Sequence, residues 1–389
     1  MLFTSIPSRI LPLLLLLSGC SGRSPHPVGP LVAGVPHPEP VSRPAHHPPD
    51  YPRLQGGYHA DRLSGDYAGY PALEAFIQQM ELRHGFPRAY LLGLFSGARR
   101  KQWTLDYMAR DTPSSPVPNR IQSPRAGGWS RYRSQFLGDY HINRGVEFWR
   151  RNAAALSAAR RHYGVPEAII LGILGVETAY GANLGKDRIL DALTTLAFDY
   201  PRRAGYFTDE LENFLLMTRS EGLDPAQPRG SFAGAMGLSQ FMPGSFLKWA
   251  EDLDGDGRRD LWNPADAIGS VARYFAVHGW KPGEPVVTRA RASGLQYREL
   301  EYGYDKPYSL SRLAAYGIEP AEEIGPGRAA GPAEPVFRFL RLGVEKGEEH
   351  WLGHENFYVI TRYNHSTYYA MAVYQLAEAI RRRHERQPS

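Results

Sequence analysis

The stretch EAIILGILGVETAYG, beginning at Glu167, constrains the fold of this chain more than any other. Its apolar residues cover nearly every side of a helix, so it has no polar face for water and must run through the centre of a helical domain. One carboxylate, Glu177, stands near the end of that run. Its charged form is costly there unless it is paired, hydrogen-bonded or kept protonated. A carboxylic acid held neutral by apolar neighbours is also what a general acid working near neutral pH requires. On this helix alone, a structural glutamate and a catalytic one are equal readings.

The surrounding sequence predicts a mainly helical (α+β) fold. PALEAFIQQMELRHG starts on a proline suited to a first helical turn, and EFWRRNAAALSAARRHYG ends on a glycine suited to a C-terminal cap. Helical patterns return at RRAGYFTDELENFLLMTRSEG and PADAIGSVARYFAVHG, and YYAMAVYQLAEAIRRRHER closes the chain with arginines at the negative end of its dipole. Between Val286 and Tyr363 the pattern changes. VVTRARA, VFRFLRL and NFYVITRY concentrate β-branched and aromatic residues between Gly and Pro clusters and predict a few short strands.

The N-terminus reads differently again. Arg9 precedes a leucine run too short to span a membrane, and LSGC follows, ending at Cys20, the chain's one cysteine. A single cysteine excludes an intramolecular disulfide and a Cys-based zinc site. The pattern resembles the cleavage box of bacterial lipoproteins, which implies a signal peptide over 1–19, acylation of Cys20 and, with Ser21 following, the outer membrane. From Ser24 to Gly57 there are ten prolines and four histidines without apolar periodicity, so 20–57 is expected to be a tether. The formal charge of +5 falls short of a nucleic-acid signature, and no nucleic-acid partner is expected.

A second segment bears on Glu177. Gly230–Phe246, GSFAGAMGLSQFMPGSF, is rich in glycine but lacks a GK[ST] ending or a preceding strand, which argues against a nucleotide loop. Its Ser, Gln, Met and aromatic residues suit an uncharged, polyhydroxylated or N-acetylated ligand. Together, GVPEAIILGILGVETAYG, RILDALTTLAFDYPRR, GSFAGAMGLSQFMPGSF and RYNHSTYYAMAV resemble the membrane-bound lytic murein transglycosylase B family, in order, from about Tyr58 to the last helix. The resemblance implies a lysozyme-like helical domain that cleaves peptidoglycan between N-acetylmuramic acid and N-acetylglucosamine, leaving 1,6-anhydro-N-acetylmuramic acid ends. It makes Glu177 the sole catalytic acid and base.

The same resemblance assigns a groove to Tyr132, Arg202, Arg203, Ser231, Gln240, Phe241, Tyr274, Tyr363, Asn364 and Tyr369. Ser231 is expected to hydrogen-bond Glu177. Gln240 and the tyrosines would contact N-acetyl and hydroxyl groups, and Arg202 and Arg203 the lactyl carboxylate or the stem peptide. Leu238 and Ser239 stand where some relatives carry Tyr and Gly, a difference that bears on groove shape. Peptidoglycan glycan strands are the expected partner, with membrane contact through the Cys20 lipid, and cell-wall synthases are candidate partners.

The run DLDGDGRRDLWN, Asp252 to Asn263, satisfies the first half of a calcium-loop template. Asp252, Asp254 and Asp256 offer oxygens, Gly257 permits the sharp turn, Arg258 can offer its carbonyl, and Asp260 falls at position nine. Asn263 stands where a bidentate Glu is normal, and Asp266 could replace it. The family resemblance also implies an EF-hand-like calcium site here. A structural Ca2+ is therefore expected, with an Asx-rich turn as the alternative. The expected division is a lysozyme-like catalytic domain over 58–285 that includes calcium loop 252–266, a small β-rich subdomain over 286–363 and a closing helix over 364–389. Two other functions fit: a hydrolytic muramidase, disfavoured by the absence of a recognisable second carboxylate, and a noncatalytic peptidoglycan-binding lipoprotein.

Overall fold

The computed structural model describes residues 54–110, 123–322, 324 and 335–386. Cys20, the signal peptide and most of the tether lie outside the described residues. Fourteen helices are described: α1 Pro71–His84, α2 Arg88–Ser96, α3 Gln102–Arg110, α4 Gly128–Arg133, α5 Asp139–Arg151, α6 Ala153–Tyr163, α7 Glu167–Thr178, α8 Ile189–Asp199, α9 Ala204–Ser220, α10 Pro243–Trp249, α11 Pro264–Val277, α12 Leu310–Ala315, α13 Glu355–Tyr363 and α14 Thr367–Glu385. The strands are β1 Asp187–Arg188, β2 Arg229–Gly230, β3 Val287–Ala292, β4 Pro307–Ser309, β5 Ile318–Pro320, β6 Val336–Gly343 and β7 Glu348–Gly353. As the patterns predict, the fold is mainly helical with a small sheet.

Helix α7 is the axis of the domain. Every residue from Ala168 to Thr178 is buried, and α5, α6, α11 and α14 pack around it. Two glycines set how closely α14 approaches. A Cβ on Gly172 would lie 2.5 Å from the Val373 carbonyl oxygen, and one on Gly175 would lie 2.7 Å from Leu376 Cδ2. Gly172→Ala is therefore expected to destabilise the protein: forcing backbone apart in a packed core costs about 1–3 kcal/mol, against about 1 kcal/mol of gained helix propensity. A lowered urea midpoint checks this, and an unchanged midpoint would mean that α14 shifts freely.

Two segments depart from the sequence-based expectation. EFWRRNAAALSAARRHYG forms two helices, because Asn152 (φ −116°, ψ 24°) breaks the run, with its backbone N–H and Nδ2 both donating to the Phe148 carbonyl. NFYVITRY forms helix α13 instead of a strand. Its buried residues, Asn356, Phe357, Val359, Ile360 and Thr361, recur at helical spacing, and the helix packs against β7 and α14. Packing overrides the strand preference of Val, Ile and the aromatics.

The sheet is antiparallel, in the order β4-β6-β7-β3-β5. β6 separates two cores. Phe337 and Phe339 join a small cluster with Tyr297, Leu313 and Ile318, while Leu340 and Leu342 belong to the main helical core. Being covered on both faces, β6 also buries Arg338 and Arg341, which pair with Glu355 and Glu348. A buried guanidinium is tolerable only with such a partner.

Candidate active site

Glu177 lies in the last turn of α7, only 9% exposed, with its carboxyl at the closed end of the apolar run. Burial pushes it up to about 7, and a hydrogen bond from Tyr369 Oη to Oε1 (2.5 Å) opposes that shift by favouring the charged form. The C-terminal end of a helix also disfavours negative charge. Among the described residues, no second acid contributes to its environment.

The chain is bent sharply just beyond it. Ala179 (φ 48°) and Tyr180 (φ 59°) are both left-handed, a conformation costly for side chains larger than glycine. Three contacts hold the bend: Arg144 Nε donates to the Ala179 carbonyl (3.1 Å), Thr178 Oγ1 donates to the Leu238 carbonyl (3.1 Å), and Gly181 N–H donates to Thr178 Oγ1 (3.1 Å). The bend that follows Glu177 is thus held from α5 and from the glycine-rich loop, while the side chain itself is held by Tyr369. No spacing rule singles out Arg144 or Thr178, so sequence reasoning missed them.

Tyrosines surround the acid. Tyr369 comes from the first turn of α14, where Ser366 Oγ caps its N–H; Tyr132 comes from α4 and Tyr363 from the end of α13. Burial and the nearby Glu177 raise the hydroxyl pKa of all three, so they stay neutral donors at physiological pH. Tyr363 Oη donates to the Ser239 carbonyl (2.6 Å), and its ring meets Phe241 and Tyr274 at 5.8 and 4.9 Å. Tyr274 Oη donates to the Arg362 carbonyl, next to Tyr363. Gln240 (φ 51°) donates through Nε2 to the Gly237 carbonyl (2.9 Å). Asn364 Oδ1 and Ser239 Oγ are buried without a hydrogen-bond partner, leaving two polar atoms for a ligand or a water.

Not every expected contact forms. Ser231 does not hydrogen-bond Glu177: its Oγ accepts the Ala233 and Ala235 N–H groups at 3.3 and 2.9 Å, closing its own loop, and Tyr369 takes the place expected of it. Arg202 and Arg203 lie on a short 3-10 turn, Pro201–Arg203, with the Arg203 guanidinium 4.3 Å from the centre of the Tyr206 ring. A cavity of about 700 Å3, lined in part by Arg229, Arg258 and Trp262, opens beside the acidic loop and includes none of the residues around Glu177.

In the acidic loop, carboxylate oxygens of Asp252, Asp254 and Asp266 come within 4.8 Å of one another. Asp252 accepts the N–H groups of Gly255, Asp256 and Gly257, and the positive φ of both glycines (76° and 89°) lets the chain wrap around it. Buried Asp266 accepts the Leu253 and Asp260 N–H groups, so the loop folds back onto the start of α11. Asp256 and Asp260 accept the N–H groups of Arg258 and Trp262 and lie outside this carboxylate trio. Asn263 caps α11 through its Oδ1. Hard oxygen ligands converging from a tight turn fit Ca2+.

The structure of Escherichia coli lytic transglycosylase SLT35 in complex with calcium matches at a TM-score of 0.76 and 45% identity, covering 83% of this chain and 97% of that one. SltB3 from Pseudomonas aeruginosa, in complex with NAG-NAM-pentapeptide, matches at 0.67 and 26%, covering 79% of each chain. The architecture is therefore that of a lysozyme-like lytic transglycosylase. The family model described as "Transglycosylase SLT domain" matches residues 68–378, and the chain is 43% identical over 371 residues to the membrane-bound lytic murein transglycosylase B of Escherichia coli (strain K12), covering 95% of this chain and 96% of the relative. This chain belongs to the transglycosylase SLT domain family. No helix among the described residues is long and apolar enough to cross a membrane.

Proposed function

We propose that this enzyme cleaves the β-1,4 bond between N-acetylmuramic acid and N-acetylglucosamine in peptidoglycan, with Glu177 as its single acid and base. The observation that carries the reading is the buried carboxyl of Glu177, raised to about 7 with no second acid beside it among the described residues. Retaining and inverting glycosidases use two carboxylates, one as nucleophile or to activate water. With one, a nucleophile supplied by the substrate itself completes the reaction without a second carboxylate. Protonated Glu177 gives its proton to the bridging oxygen as the bond from C1 breaks; the resulting carboxylate then takes the proton of the muramic C6 hydroxyl as C6 oxygen bonds to C1. The proton count returns to its start and no water is consumed. Tyr132 would be a neutral donor to the sugar, Tyr369 keeps its O–H on Glu177 and Tyr363 on the Ser239 carbonyl, Asn364 Oδ1 and the Gln240 side-chain oxygen would accept N-acetyl N–H or sugar hydroxyl groups, and Ser231 keeps the loop closed. Phe241 and Tyr274, buried against Tyr363, would back the sugar site, and Arg202 and Arg203 would bind the lactyl carboxylate or stem peptide.

Incubation with insoluble peptidoglycan tests this. Anhydro-ended muropeptides in solution support it, reducing ends would favour a muramidase, and binding without release would favour a tethering lipoprotein.

Calcium would be held by Asp252, Asp254 and Asp266 with the Arg258 carbonyl, and by Asp256 and Asp260 if they turn inward. Its role would be structural, fixing the loop against α11. Chelation is expected to lower the melting temperature by about 5 °C, restored by added Ca2+. An unchanged melting curve would make the loop an Asx-rich turn. An acylated Cys20 would hold the enzyme at the outer membrane, in keeping with the membrane-bound relative.

A further inference from the structure

Helix α3 presents an aromatic face that the site described above does not use. Trp103 is 55% exposed, and its ring stacks on Tyr107 one turn later, with centroids 5.2 Å apart and planes at 22°. Phe232 meets both rings edge-on, at 5.7 and 4.9 Å. An indole that remains half exposed despite two aromatic partners presents a flat apolar surface to solvent.

Phe232 ties this face to the glycine-rich loop. It follows Ser231, whose side chain accepts two loop N–H groups, while the loop's other arm accepts the hydrogen bond from Thr178, the residue after Glu177. The base of α3 is held to the same framework. Lys101 pairs with Asp187 of β1 at 2.8 Å, its N–H donates to Thr195 Oγ1, and β1 pairs with β2, which leads into Ser231. The aromatic face and the catalytic acid therefore lie at two ends of one braced loop.

We propose that Trp103, backed by Tyr107 and braced by Phe232, is an accessory sugar-stacking site that holds the glycan strand beyond the bond being cleaved. The proposal rests on the functional reading above, which supplies the polymer. Its chemistry favours a neutral pyranose. The C–H face of such a ring matches an exposed indole, and two of the cations at the base of α3, Arg100 and Lys101, are already paired with Asp199 and Asp187. A strand seated at Glu177 is a continuous polymer, and the proposal places its further sugars on the face that Phe232 ties to the same loop.

The test uses the full chain carrying Glu177→Gln, which binds without cleaving, titrated with glycan strands stripped of stem peptides and sorted into short and long classes. Adding Trp103→Ala is expected to weaken long-strand binding about tenfold while short strands, which end before the aromatic face, bind as before. Trp103→Phe should recover most of the loss. Leu82→Ala, removing an exposed apolar side chain on α1, serves as the control. Unchanged long-strand affinity in Trp103→Ala, as expected if the face serves the chain's own proline-rich segment, overturns the proposal. An equal loss on short and long strands also overturns it, as a structural effect. If Glu177→Gln binds neither class, the functional reading itself fails and the proposal falls with it.

Discussion

Replacing Glu177 by glutamine is expected to slow release of soluble fragments from peptidoglycan by about 10^3-fold, with the fold retained. Loss of one positioned proton donor and acceptor costs roughly 10^2- to 10^4-fold. Glutamine keeps the side chain's shape and an oxygen able to accept from Tyr369, but carries no transferable proton. In the wild type, the rate should fall as pH rises through about 7, because the first step needs the protonated acid. The fragment assay and a far-UV circular dichroism spectrum check both halves. A variant keeping a tenth or more of the rate would assign proton transfer to another group.

The same substitution is expected to stabilise the protein at alkaline pH. The carboxyl rises from an ordinary 4.5 to about 7 on folding, so between those values the folded chain binds more protons than the unfolded one. Stability therefore falls as pH rises from 4.5 to about 7, then levels off. A shift of this size corresponds to something on the order of 3 kcal/mol. Glutamine does not titrate, so variant and wild type should match near pH 4, and the variant should be more stable by a few kcal/mol near pH 8. Urea midpoints at the two pH values check this, with other titrating groups cancelling in the difference. An equal difference at both would show that Glu177 is not shifted.

What was legible in the sequence follows from how local its physics is. An unbroken apolar run with one acid near its end declares both a central helix and a costly carboxyl, and α7 is buried along nearly its whole length. Asp252, Asp254 and Gly257 follow a turn template that neighbouring residues alone enforce, and Asp266, three residues past the usual last position, closes the trio. NFYVITRY was misread because β-branched residues serve a helix equally well when α14 and the sheet bury them. The Ser231 contact was misassigned because a short serine side chain satisfies its nearest backbone N–H groups first. Arg144 and Thr178 were invisible for a different reason: they act on a left-handed bend that exists only once α5, α7 and the glycine-rich loop are assembled.

In the proposed reaction the substrate's own hydroxyl, and not water, takes the broken bond, with Glu177 moving the proton both ways. Cleavage of peptidoglycan in water enriched in heavy oxygen, followed by mass spectrometry of the new chain ends, tests it most directly. Ends one water lighter than hydrolysed ends and free of heavy oxygen are expected; reducing ends carrying the label would show that water, not the C6 hydroxyl, is the nucleophile.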